Sequence, residues 1–205
     1  MRMRRWNYGW CYILLFSWCV VGWAVAAQEP PRPSHIVQDL MQAIQSIKTS
    51  ENEALSAAAM AQNTAATKLA NSILDIPDVS QRILGRHWKQ RTPTEQREFT
   101  ALLTELFTSV AYPKSAEFIS DLDVKVQDER ITGQRAVVAT TVSDPKEGLI
   151  SVDYQLQQHE NTWRVRDIIL DDVSLTRNLR SQCQKIITEH SYDELLRRMR
   201  EKLSE

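Results

Sequence analysis

The stretch W-R-V-R-D-I-I-L-D-D-V-S-L-T-R-N-L-R-S-Q, residues 163–182, changes its period half-way along. It begins with the every-second-residue pattern of a β-strand, with Val165 and Ile169 on one side. After Ser174 the apolar residues Leu175 and Leu179 stand four apart among polar ones, the spacing of an amphipathic helix. A strand that feeds directly into a helix hands the apolar face of a sheet to that helix. Asp171 and Asp172 lie at the junction, where carboxylates favour the positive N-terminal end of a helix. Read instead as a paired acid–base set, they have no partner motif nearby.

Upstream, the two-residue period reaches back to Asp121. Leu122, Val124 and Val126 alternate with Asp123, Lys125 and Gln127, and Thr132-Gly133-Gln134 makes a turn. Ala136 to Val142 is a second strand, and Asp144-Pro145-Lys146-Glu147-Gly148 is a loop. Ile150, Val152, Tyr154 and Leu156 then alternate with polar residues, and His159-Glu160-Asn161-Thr162 closes a hairpin onto the strand that starts at Trp163. Such alternation predicts an antiparallel sheet of about four strands with one apolar and one wet face.

Helices flank this sheet on both sides. Ser34 reads as an N-cap for a helix with Ile36, Val37, Leu40, Met41, Ile44 and Ile47 on one face. The alanine-rich stretch 51–74 carries a narrow stripe of Leu55, Ala58, Ala59, Ala66, Leu69, Ala70 and Ile73. Pro77-Asp78 starts a helix with Val79, Ile83, Leu84 and Trp88. Thr92-Pro93-Thr94-Glu95 is a capping-box start for a helix bearing Phe99, Leu102, Leu103, Leu106, Phe107 and Val110, and Pro113 is expected to end it. A final helical region runs from Ser174 to the end. The fold class is therefore α+β, with N-terminal helices and a C-terminal helical region on the apolar face of the sheet.

Residues 1–26 read as a secretory signal peptide: Arg2, Arg4 and Arg5 precede an apolar run and the small-x-small site Ala24-Val25-Ala26. As a retained anchor, that run is marginal against the ~20 residues a spanning helix needs. Residues 27–33 form a proline-rich linker, and 34–205 a single domain. Cleavage leaves 22 basic against 26 acidic side chains, a net charge near −4. That balance argues against nucleic acid or an anionic membrane surface as the main partner. Cys183 becomes the sole cysteine, so no intramolecular disulfide can staple the core.

No catalytic set emerges. His35, His87, His159 and His190 lie in separate elements without metal-ligand spacing, and Cys183 lacks an activating base. There is no Gly-rich phosphate loop and no nucleophile elbow. The expectation is a protein that is not an enzyme and that needs no cofactor or metal.

Several motifs, in order, give the chain a family likeness. Trp163, Val165, Asp167 and Ile168 match a W-x-V-x-D-I/V strand, Val173-Ser174-Leu175 a G-V-S-L turn, and Asn178, Arg180, Ser181 and Gln182 an N-x-R-S-Q-F helix. Upstream, Leu84-Gly85-Arg86-His87-Trp88, Thr92-Pro93-Thr94-Glu95-Gln96, Phe99 and Tyr112 fit the remaining positions. Together they resemble the Mla-type periplasmic phospholipid-binding proteins (MlaC, or toluene-tolerance auxiliary proteins). Asp172 replaces the glycine common in that family, and Cys183 its phenylalanine. These departures weaken the resemblance to the best-known subgroup, and a related branch is associated with hopanoid-producing bacteria.

The resemblance implies a curved sheet and helices enclosing an apolar cavity. It implies a monomeric periplasmic carrier of phospholipid or hopanoid, exchanging cargo with an inner-membrane ABC transporter and an outer-membrane lipoprotein complex. Leu103, Phe107 and Val110 of the long helix are expected to line the cavity. Val124, Val138, Val152, Tyr154, Val165 and Ile169 of the sheet, with Leu175 and Leu179 beyond it, complete the lining. Arg180 is expected to pair with Asp167 or Asp171 and fix the strand-to-helix corner. Two other readings remain: a periplasmic adaptor that works through its surface, and a small enzyme on a similar fold. The apolar character of the inward strand positions disfavours the enzyme.

Overall fold

The computed structural model describes residues 31–49, 54–120, 122–144 and 148–204. The signal-peptide reading of 1–26 and most of the 27–33 linker lie outside the described residues.

Helix α1, Pro33–Gln45, starts with proline in its first turn, where no amide hydrogen is needed. Ser34 is not its cap. Arg32 occupies that position without a side-chain cap, and Glu129, from the sheet, accepts from the Ser34 amide at 2.7 Å. The same carboxylate pairs with Arg32 at 2.9 Å. Burial opposes ionisation of Glu129, but the hydrogen bonds from Ser34 and Arg32 outweigh it and hold the carboxyl below its ordinary range. Helix α2, Ala57–Ile73, is capped by Ser56. Its apolar stripe is narrower than expected: Ala66, Ala70 and Ile73 are buried, whereas Leu69 faces solvent.

Asp75 caps α3, Ile76–Leu84, and a 3-10 turn, Gly85–Gln90, follows. Gly85 has φ +53°, and a Cβ there would lie 2.9 Å from both Arg180 Nη2 and Gln184 Nε2. The positive φ is what favours glycine here, since the two side-chain ends could swing away from a Cβ. Helix α4, Pro93–Leu106, has the predicted capping box between Thr92 and Glu95. It does not stop before Pro113. A π turn, Phe107–Ala111, carries the helix into α5, Tyr112–Ile119. Proline lacks an amide hydrogen and crowds the carbonyl four residues back, and the widened π turn just before it relieves both problems.

Strands β1, Asp123–Thr132, β2, Arg135–Asp144, β3, Gly148–His159, and β4, Thr162–Leu170, pair antiparallel in chain order. A fifth strand, β5, Val173–Ser174, extends the meander. The link between β4 and β5 is Asp171-Asp172, with φ +43° and +65°. Two successive left-handed residues make a tight hairpin turn in which glycine, asparagine and aspartate are favoured. These two acids therefore do not cap the next helix. Ser174 does, accepting from the Arg177 amide at the start of α6, Leu175–Glu189. Helix α7, Tyr192–Ser204, completes the chain.

Both β1 and β4 carry a bulge, where Gln127 and Arg166 are the extra residues in the register. Each bulge bends its strand, so the sheet curves around the helices. The core lies in the hollow: Val37 and Leu40, Ile83 and Leu84, and Phe99 pack against Val138, Leu156 and Val165, all at most 1% exposed.

Candidate functional site

An apolar pocket of about 590 Å³ opens between the sheet and the helices. Leu40, Met41 and Ile44 of α1 and Phe118 and Ile119 of α5 form one wall. Val142 of β2, Ile150, Val152 and Tyr154 of β3, and Ile168 and Leu170 of β4 form the other. Val173 and Leu175 close the end, and Ser115, Asp171 and Asn178 supply the polar edge. Phe118, Leu170, Val173 and Leu175 are 40–57% exposed. Such an exposed apolar rim is unfavourable in water unless something covers it. Tyr154, whose hydroxyl is the polar group deepest among the lining residues, donates to Met41 Sδ at 2.8 Å. Burial pushes the phenol's pKa upward, so it stays neutral at any working pH.

A second apolar recess of about 230 Å³ is lined by Leu103, Leu106, Phe107, Val110, Ala111, Leu175 and Leu179. Its floor is the π turn. A small space of about 30 Å³ bounded by Phe107, Val165, Ile168, Leu175 and Leu179 lies between the two. Leu175 borders all three.

The residues expected from sequence divide accordingly. Val152, Tyr154 and Leu175 line the main pocket. Leu103, Phe107, Val110 and Leu179, again with Leu175, line the recess. Val165 touches the small space between them. Val138 is fully buried core, and Val124 packs against the core from the edge strand. Ile169 is displaced by the bulge. Arg166 adds one residue to β4, so Ile168 pairs with Tyr154 and Leu170 with Val152 on the pocket face. Ile169, opposite Asp153, turns to the other face. The wall that sequence reasoning missed is α1. Its apolar face was legible at Leu40, Met41 and Ile44, but core and cavity wall share one periodicity.

The corner beside the pocket is built on Asp167. Its carboxylate accepts from Ser174 Oγ at 2.6 Å, from the Thr176 amide at 3.0 Å and from the Ile168 amide at 3.0 Å. Those contacts replace the expected pairing with Arg180, whose guanidinium instead lies against Gly85. Asp171 is held to β3, its Oδ1 accepting from the Ser151 amide at 3.2 Å. His159 contacts the buried Asp75 at 2.9 Å and so ties the hairpin turn to the cap of α3. Among the described residues, no group of three His, Cys, Asp or Glu side chains could hold a metal ion. No described helix is long and apolar enough to cross a membrane.

Fold and site together define a class: an α+β protein whose curved antiparallel meander and covering helices leave an open apolar pocket between them. The particular family follows from the sequence. A model of the MlaC protein family matches residues 37–201, and the chain belongs to that family. Among solved structures, the chain is similar to the phospholipid-binding protein from Ralstonia solanacearum, determined in complex with a phospholipid. That match has a TM-score of 0.66 and 18% identity, and covers 83% of this chain and 94% of the other. No curated protein matches the chain.

Proposed function

We propose that this protein binds a phospholipid by its acyl chains in the 590 Å³ pocket and carries it through the periplasm. The observation that carries the reading is the pocket's lining: two curved apolar walls whose one deep polar group, the Tyr154 hydroxyl, is bonded to Met41 Sδ, other polar groups at the edge, and an exposed apolar rim. Its volume falls within the range of about 300–1,000 Å³ typical of small-molecule sites. Membership of the MlaC family and the likeness to a phospholipid-bound protein support the same cargo.

Magnitudes favour a two-chain lipid. A buried methylene contributes about 0.8 kcal/mol, so ten of them give about 8 kcal/mol. Association itself costs about 4–15 kcal/mol. One short chain barely offsets that cost, whereas two chains exceed it without help from the headgroup. The main pocket and the recess behind Leu175 provide the apolar surface for them. With the lining this apolar, the protein acts as a carrier and not as an enzyme.

On this reading residues 1–26 direct export and are removed, and residues 34–205 are the carrier domain. The same proposal has the protein exchange its cargo with an outer-membrane lipoprotein complex and an inner-membrane ABC transporter. Nothing in the pocket favours a polycyclic hopanoid over acyl chains. Native mass spectrometry of protein purified without detergent tests the proposal. The expected result is a mass increment identified as phospholipid. Lipid-free protein that also takes up no labelled phospholipid would overturn it, and a hopanoid increment would replace the cargo.

A further inference from the structure

A second concavity lies on the sheet away from the apolar pocket. Alternation along β2 and β3 turns Arg135, Val137 and Gln155 to the face opposite Tyr154. There they border a depression of about 410 Å³, together with Arg82 of α3, Arg166 at the β4 bulge, Ala136 and Leu156. Three guanidinium groups border this hollow, and a single carboxylate offsets only part of their mutual repulsion. The nearby carboxylate is that of Asp78, 3.4 Å from Arg166 Nη2 and 3.8 Å from Arg82 Nη1. Arg166 Nη1 also donates to Gln157 Oε1 at 3.3 Å, and Arg82 Nη1 to the Arg166 carbonyl at 3.1 Å. These bonds fix two of the forks and leave Arg135 in no ion pair among the described residues.

Two donors remain unanswered. Arg166 Nε is buried without an acceptor, and so is Arg164 Nε. Arg164 does not border the hollow itself, but it stands in one cross-strand row with Gln157 and Arg135, which does. Buried N–H groups of this kind are normally paired, so an unpaired one beside a hollow marks a place for an acceptor. Planar guanidinium forks match the oxygens of phosphate in geometry as well as in charge. The whole chain is close to neutral, so the positive charge here is a local arrangement.

We propose that the hollow bordered by Arg82, Arg135 and Arg166 is an oxyanion site that takes a phosphate group, independent of the apolar pocket. The phosphate is either a free ion or the headgroup of an anionic lipid presented by a bilayer. The test is titration of the purified protein with inorganic phosphate, followed by the Nε–Hε resonances of the arginines, with sodium chloride at matched ionic strength as the control. Saturable shifts at Arg82, Arg135 and Arg166 are expected. Arg135→Gln should weaken binding at least tenfold and Arg135→Lys less, while Arg177→Gln on α6 leaves it unchanged. Arg135 is exposed and in no ion pair among the described residues, so its variants should fold normally. Shifts that chloride reproduces, or that survive Arg135→Gln undiminished, would overturn the site. A second arm separates the sources: retention on phosphatidylglycerol vesicles, lost in Arg135→Gln and displaced by phosphate, assigns the lipid headgroup. Phosphate binding without vesicle retention assigns a soluble oxyanion. Both support the site, and neither depends on whether the apolar pocket holds lipid.

Discussion

Asp167 shows how one side chain can fix the wall of a pocket. It is 6% exposed and answers a hydroxyl and two amides at the point where β4 and β5 give way to α6. Asp167→Ala leaves the Ser174 hydroxyl and the Thr176 amide buried without that acceptor. Each such loss costs about 1–3 kcal/mol, so urea unfolding should show destabilisation of at least ~2 kcal/mol; a change below ~0.5 kcal/mol would mean the corner is held otherwise. Cys183 is half-buried and packs against the core. Burial pushes its thiol pKa up to about 11. Ellman's reagent at pH 8 should therefore react slowly with the native protein and rapidly after unfolding. The linkage has a definite sign. Above the ordinary thiol pKa the unfolded chain loses a proton that the folded chain keeps, so the contribution of Cys183 to stability falls as pH rises toward 11.

At the scale of elements, the irregularities do more to shape the site than the regular segments. The bulge at Arg166 exchanges Ile169 for Ile168 and Leu170 on the pocket face. Ile168→Asn should lower the amount of co-purified lipid at least tenfold, and Ile169→Asn should leave it near normal; equal effects would refute the register. The start of α4 offers a pH test. The hydrogen bond from the Thr92 amide, then that from its hydroxyl, lowers the pKa of Glu95. A carboxyl depressed on folding stabilises above its unfolded pKa, and that stabilisation is lost as pH falls through the folded value. The urea midpoint of the parent protein should therefore exceed that of Glu95→Gln at pH 7, and the gap should close in acid. The four long strands, the capping box and most helix faces were legible because each leaves a period or a fixed spacing in the sequence. The bulges at Gln127 and Arg166 were not, since an extra polar residue in a strand looks like any other. The π turn was hidden behind Pro113, which by local rules stops a helix. At two residues, β5 was too short to show a period.

Across the whole molecule, the sheet's two faces are used differently. The hollow face holds the core at one end and the apolar pocket at the other, with α1 and α5 across from β2, β3 and β4. The opposite face carries the arginine-bordered depression. Sequence could say that one face was apolar, but not that the helices fail to fill it, because a packed core and an open wall draw on the same residues. That gap is the central claim. It is tested most directly with a phospholipid bearing a diazirine at the end of an acyl chain, loaded into the protein, photolysed and mapped by peptide mass spectrometry. Labels are predicted on the α1 segment containing Leu40, Met41 and Ile44 and on the β3 segment containing Ile150, Val152 and Tyr154. Labels confined to other surfaces, or no incorporation into protein that has demonstrably taken up the lipid, would contradict the account.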